Sequence, residues 1–104
     1  MEDEKIYKLY QKKNFMKKNL TFNYYYAYWD NSEREKYSVK DFCAKNRFAF
    51  NQIDCETEEG VQESIKHKVR ILPMVRVCAG NKELFRVNGK HLVDKICSNI
   101  NEKD

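Results

Sequence analysis

The alternation of two periodicities along the chain is the feature that most restricts its fold. Short runs rich in β-branched and aromatic residues predict strands at residues 6–10, 20–28, 48–54, 74–78 and 83–87. Apolar residues at helical spacing predict helices at residues 11–18, at 32–45, from 57 onward and at 91–99. The order β-α-β-α-β-α-β-β-α places helices between strands. It therefore predicts an α/β fold with three layers, α/β/α, and a central mixed β-sheet.

Two local patterns predict where the longer helices begin. Ser32 and Glu35 have the spacing of a capping box, in which each side chain accepts a hydrogen bond from a backbone N–H at the start of the same helix. Thr57 is followed by two glutamates, and acidic residues stabilise the positive end of a helix. Four-residue spacing along this second helix predicts a buried stripe of Val61, Ile65 and Val69.

Length and composition favour one globular unit. A chain of 104 residues can bury one hydrophobic core, so we expect a single domain over residues 1–104. With 41% hydrophobic and 13% aromatic residues, the composition is not that of a disordered chain. The uncharged stretch at residues 20–29 is too short for a membrane span, and the acidic start lacks the pattern of a signal peptide. We therefore expect a cytoplasmic protein without membrane contact.

Charge is distributed unevenly around a net value of +4. Residues 30–63 contain nine acids and five bases, whereas residues 66–95 contain eight bases and two acids. A further basic cluster near the start of the chain includes Lys12, Lys13, Lys17 and Lys18. Such clusters can bind nucleic acid or a ribosome, or they can simply form a solvated surface.

The four cysteines, Cys43, Cys55, Cys78 and Cys97, are far apart in the sequence and form no Cys-x-x-Cys pair. Metal sites usually take ligands that are closely paired in sequence, and neither histidine is paired with a cysteine in this way. We therefore expect no metal site and no cofactor. In a cytoplasmic chain such thiols are expected to be reduced and mostly buried.

Several short segments, in this order, resemble thioredoxin. They are YAYW at 26–29, QID at 52–54, VRILPM at 69–74, GNKE at 80–83 and the glycine at 89. The resemblance covers residues 6–100 and implies the thioredoxin-like fold, with a cis peptide bond between Leu72 and Pro73. It implies a substrate groove as well, in which a polypeptide pairs with the backbone before the cis-proline and contacts the tryptophan.

The chain departs from this family where the family does its chemistry. Residues 30–33 are Asp-Asn-Ser-Glu, where thioredoxins carry Cys-Gly-Pro-Cys. Disulfide exchange needs one thiolate to attack and a second thiol to resolve the mixed disulfide, and neither is present. Tyr24 and Phe50 occupy the positions of the buried aspartate and lysine that assist the family's cysteines. The resemblance therefore implies no catalytic residues and no oxidoreductase activity.

What remains is a predicted binding site formed by Trp29, Asp30, Leu72 and Pro73. The resulting hypothesis is a redox-inactive module that binds a protein partner or serves in an assembly. Two alternatives stay open. One is a residual thiol-disulfide oxidoreductase that uses Cys55, although the neighbouring acids Asp54 and Glu56 would repel an attacking thiolate. The other is an RNA- or ribosome-associated protein that binds through its lysines, and its affinity would fall steeply with salt.

Overall fold

A computed structural model describes residues 19–30 and 33–102 of the chain. The predicted strand at 6–10, the predicted helix at 11–18, Ser32 and the cluster of Lys12, Lys13, Lys17 and Lys18 lie outside the described residues. The described strands are β1 (Leu20–Tyr26), β2 (Ala49–Asp54), β3 (Met74–Ala79) and β4 (Lys82–Asn88). The helices are α1 (Glu33–Asn46), α2 (Glu58–Lys66) and α3 (Leu92–Glu102).

The described strands form one mixed sheet in the order β2-β1-β3-β4. β1 and β2 are parallel and are joined through α1, whereas β3 is antiparallel to both β1 and β4. The predicted hairpin of β3 and β4 is confirmed. Gly80 in its turn has a φ of 62°, a conformation that glycine adopts without strain.

One face of the sheet, called the apolar face below, is covered by α1 and α3. Val39 and Cys43 of α1 are buried against it, and α3 contributes Leu92, Ile96 and Ile100 at four-residue spacing. Alternate side chains of the strands complete this hydrophobic core: Leu20, Phe22, Tyr24, Val75, Val77, Phe85 and Val87. The apolar residues of the helices and those of the strands therefore form one hydrophobic core, as their separate spacings predict.

The opposite face, called the polar face below, carries a network of charged side chains. Arg76 is only 6% exposed, and its guanidinium donates to a carboxylate oxygen of Glu83 at 2.8 Å and to the hydroxyl of Tyr25 at 2.9 Å. Arg86 donates two further hydrogen bonds to the same carboxylate, each 2.8 Å long. These contacts, those of Arg86 above all, lower the pKa of Glu83 to about 2. One acid is thus shared between two arginines.

A β-bulge places this acid on the polar face. Val77 pairs with Phe85, but the next residue of β3, Cys78, pairs with Glu83, so Leu84 is the extra residue on β4. Without the bulge, strict alternation would turn Glu83 to the same side as Phe85, into the hydrophobic core.

Helix α2 lies on the polar face, and its predicted apolar stripe is wrong. Its start is as predicted, since the Thr57 hydroxyl accepts a hydrogen bond from the N–H of Gly60. Val61 and Ile65, however, are 41% and 68% exposed, and Val69 lies beyond the end of the helix. The buried residue of this helix is Gly60, and an added Cβ there would overlap the carbonyl oxygen of Asp54. Close approach of the helix backbone, rather than apolar burial, fixes its orientation.

Strand β1 ends at Tyr26, two residues earlier than predicted. The carbonyl of Tyr26 accepts a hydrogen bond from the N–H of Cys55, and the N–H of Tyr28 donates to the carboxylate of Glu56. Both partners belong to the loop after β2, so the chain leaves the sheet here and forms a single 3-10 turn over Tyr28–Asp30.

Candidate binding cleft

The loops that carry the predicted site meet at one edge of the sheet. Met74, at the start of β3, pairs with Tyr25 near the end of β1 and with Asn88 at the end of β4. The segments that follow β1 and β4 and the one that precedes β3 therefore emerge side by side. The carboxyl ends of parallel strands, here β1 and β2, are also where α/β sheets commonly bind ligands.

A cleft of about 790 Å³ opens at this edge. Leu72 and Pro73 form part of its lining, the peptide bond between them is cis as the resemblance implies, and the carbonyl of Pro73 accepts a hydrogen bond from the N–H of Gly89 at 3.0 Å. The remaining lining residues come from α1, from the loop after β4 and from the start of α3: Arg34, Glu35, Ser38, Gly89, Lys90, His91, Val93 and Asp94.

The predicted site residues fall into two neighbouring parts of this edge. Leu72 and Pro73 line the cleft, whereas Trp29 lies outside its lining and is 60% exposed. The ring of Trp29 packs edge-on against Tyr28, which is 77% exposed, with 5.7 Å between the ring centroids. Asp30 ends the 3-10 turn, and its side chain is outside the described part of the structure. The sequence identified Trp29 but missed Tyr28 as its exposed companion.

Glu35 stabilises a different helix from the one that its capping-box spacing predicts. Its two carboxylate oxygens accept hydrogen bonds from the backbone N–H groups of His91, at 2.9 Å, and of Leu92, at 3.1 Å. These groups are at the start of α3, where N–H groups have no partner within the helix. The first turn of α1 thus holds the first turn of α3, across one wall of the cleft. His91, with a φ of 58°, sits at this junction in a conformation that is costly for a residue with a Cβ.

Aromatic side chains occupy the positions beneath the site that the resemblance assigns to a buried aspartate and lysine. Tyr24 is fully buried, and its ring lies 6.0 Å from that of Phe50 and 6.1 Å from that of Tyr26, measured between centroids. The ammonium group of Lys36 lies 4.9 Å from the centroid of the Tyr26 ring. Packing and a cation–π contact therefore take the place of a buried proton-transfer group.

All four cysteines are free thiols. Cys43 and Cys78 are buried, Cys55 and Cys97 are half-buried, and burial raises the pKa of Cys43 to about 12. The sulfur of Cys55 lies 3.1 Å from the hydroxyl oxygen of Ser64 on α2. None of the four lines the cleft.

Within residues 19–30 and 33–102 there is neither a cluster of metal-ligating side chains nor a helix suited to a membrane. No group of three or more His, Cys, Asp or Glu side chains there is arranged to hold a metal ion. No helix in these ranges has the length and apolarity needed to cross a membrane.

Comparison with known proteins identifies the fold. No protein-family model and no curated protein matches the sequence. Thioredoxin f2 of Chlamydomonas reinhardtii superposes with a TM-score of 0.71 and 12% identity, covering 84% of this chain and 81% of that chain. Fasciola hepatica thioredoxin gives 0.69 and 20% identity, over 88% of this chain and 86% of that one.

A third similar structure is thioredoxin-2, a component of malaria parasite protein secretion machinery. Its TM-score is 0.64 at 17% identity, over 82% of this chain and 84% of that chain. At these identities the comparisons establish architecture alone. The chain has the thioredoxin-like fold, and its sequence carries that fold without a Cys-x-x-Cys pair.

Proposed function

We propose that this protein is a redox-inactive thioredoxin-like module that binds an extended segment of a protein partner at the cleft beside Pro73. Trp29 and Tyr28 provide a neighbouring apolar contact. Thioredoxin-2 of the malaria parasite is a component of a protein secretion machinery, so a similar fold does serve within a protein assembly.

The observation that carries the proposal is the unpaired backbone of Leu72. This residue is half-buried and lines the cleft, yet neither its N–H nor its C=O has a hydrogen-bond partner among the described residues. Both groups are therefore able to pair with the backbone of another polypeptide. An extended segment lying along Leu72 would supply these partners by strand addition, with specificity coming from the side chains around it.

The chemistry of the site supports binding rather than catalysis. Positions 30 and 33, where a thioredoxin needs its two thiols, are Asp and Glu. The buried Tyr24 stands where a proton-transfer carboxylate would be needed. Cys43, with its pKa raised to about 12, has negligible thiolate at neutral pH.

Binding can be tested with peptides selected from a random-sequence display library in the presence of dithiothreitol, which prevents disulfide capture. Titration of a selected peptide into ¹⁵N-labelled protein should shift the backbone resonances of Leu72 and Gly89. Trp29→Ala should weaken binding by about thirtyfold, as expected for loss of an aromatic anchor worth about 2 kcal/mol. Tyr37→Ala removes another exposed aromatic side chain, on α1, and should leave the affinity unchanged. Peptides that bind without shifting Leu72 would contradict the proposal.

The absence of redox activity has its own test. The protein should not accelerate the reduction of insulin by dithiothreitol, and Asp30→Cys combined with Glu33→Cys should restore weak activity at most, because Tyr24 cannot act as the buried acid. Turnover comparable to that of an ordinary thioredoxin in the unmodified protein would overturn this part of the proposal.

A further inference from the structure

Two cations that line the cleft, Arg34 and Lys90, form no ion pair with another described residue. Arg34 lies on the first turn of α1 and Lys90 in the loop after β4, and both are exposed. Within the described ranges neither forms an ion pair, although other cations in the molecule do. Arg34 and Lys90 therefore remain available to an incoming carboxylate.

The acids of the cleft are compensated by the protein itself. Both oxygens of Glu35 are occupied by N–H groups at the start of α3. Asp94 lies in the first turn of the same helix, where the positive end of the helix dipole offsets a negative charge. The formal charges of the cleft side chains sum to zero. The two carboxylates are already stabilised, one by hydrogen bonds and one by the helix dipole. The two cations have no comparable partner among the described residues.

The loop that leads to the cis-proline extends the same positive field. No acidic residue occurs from Ser64 to Lys82, and the exposed cations Lys66, Lys68 and Arg70 precede Leu72. A segment that pairs with Leu72 must run beside this loop. Uncompensated charge along a binding path favours ligands of opposite sign and disfavours those of the same sign.

We propose that the cleft selects acidic polypeptide segments, with Arg34 and Lys90 receiving carboxylates on either side of the backbone pairing at Leu72. This inference rests on the proposed function, because it names the kind of partner that the same cleft would bind. Arg34 and Lys90 are thus specificity-determining residues, whereas Leu72 supplies the affinity common to all extended segments.

The test uses three short extended peptides in which valine alternates with glutamate, with glutamine or with lysine. At physiological salt, the glutamate peptide should bind at least about tenfold more tightly than the glutamine peptide, and the lysine peptide should bind most weakly. Arg34→Gln combined with Lys90→Gln should remove most of the preference. Lys40→Gln combined with Lys82→Gln makes the same change of charge at exposed lysines outside the cleft and should preserve it.

The possible results separate the inference from the function on which it rests. If all three peptides shift Leu72 with equal affinity, charge selection is wrong and the binding function stands. If none of them shifts Leu72, both proposals fail for extended segments of this kind. If a single-stranded oligouridylate displaces the glutamate peptide and binds more tightly, the cleft recognises polyanions rather than acidic polypeptides, and the inference is overturned.

Discussion

On the apolar face of the sheet, α1 and α3 are held by branched and aromatic side chains packed at regular spacing. On the polar face, α2 is held by the close approach of Gly60 and by Arg86, which donates to the carbonyl of His67 at the end of the helix. Because the polar face offers α2 no apolar surface to pack against, apolar side chains of this helix gain little by pointing towards the sheet. Val61 and Ile65 of α2 accordingly face outward, although their spacing suits an inward stripe.

This comparison can be tested first by removing the acid on which the polar face depends. Glu83→Gln leaves the buried Arg76 without its counter-charge, and breaking a buried ion pair in this way should lower the free energy of unfolding by about 3 kcal/mol. Lys82→Gln changes an exposed neighbour and should have an effect within about 0.5 kcal/mol. Urea unfolding of both variants measures the difference. A loss below about 1 kcal/mol would mean that Arg76 is well solvated without Glu83.

The same acid should make the polar face sensitive to low pH. Because the folded-state pKa of Glu83 is lowered from 4.5 to about 2, its stabilisation is complete above the unfolded value and is lost as the pH falls from 4.5 towards 2. The stability advantage of the wild type over Glu83→Gln should therefore shrink across this window, by at most about 3 kcal/mol. Unfolding both proteins at a series of pH values measures it. An advantage that stays constant down to about pH 2 would contradict the lowered pKa.

The close approach of α2 predicts an unusual response to alanine. Within a helix, Gly→Ala usually stabilises, but at Gly60 the new methyl group would overlap the backbone of Asp54, so we expect a loss of about 2 kcal/mol. Gly80→Ala is the matched control, because nothing surrounds that position and only its positive φ resists the change, at a cost of about 1 kcal/mol. If Gly60→Ala were the milder of the two in thermal unfolding, α2 would be free to move away from the sheet.

The smallest expected change in stability comes from the left-handed residues that follow α1 and α2, and it should be similar for both helices. Just after the end of α1, Arg47 is left-handed with a φ of 60°, and just after the end of α2, Lys68 is left-handed with a φ of 57°. In each case the following residue donates to a carbonyl five positions back, as in a Schellman motif. Arg47→Gly and Lys68→Gly should each raise the unfolding free energy by about 0.5–1 kcal/mol. A gain at one position and a loss at the other would show that contacts of the replaced side chain, and not backbone strain, decide the outcome.

The fold was predictable where local pattern and tertiary packing agree. The described strands, the Thr57 cap and the hairpin could be predicted from periodicity and turn chemistry. On the apolar face, the regularly spaced apolar side chains are also the ones that pack into the core. The orientation of α2 was not predictable, since it depends on the close approach of Gly60 to Asp54 and on the contact of Arg86 with His67. The partner of Arg86, Glu83, lies on the polar face because of the bulge at Leu84. Nothing in the local sequence marks that bulge.

The candidate site was predictable in part for a similar reason. Leu72 and Pro73 are marked by their own short segment, and the structure places both in the cleft. Arg34 and Lys90 come from segments far apart in sequence, so their convergence depends on the topology of the sheet. Glu35 was identified as a cap, but its spacing could not show that the helix it caps is a different one.

That cap also determines how the cleft can respond to a ligand. Separating α1 from α3 would leave two N–H groups without their acceptor. This wall of the cleft is therefore preorganised in the free protein. The conformational entropy of shaping this wall is lost during folding rather than during association. Encounter should thus resemble rigid docking, with an association rate that no opening step limits.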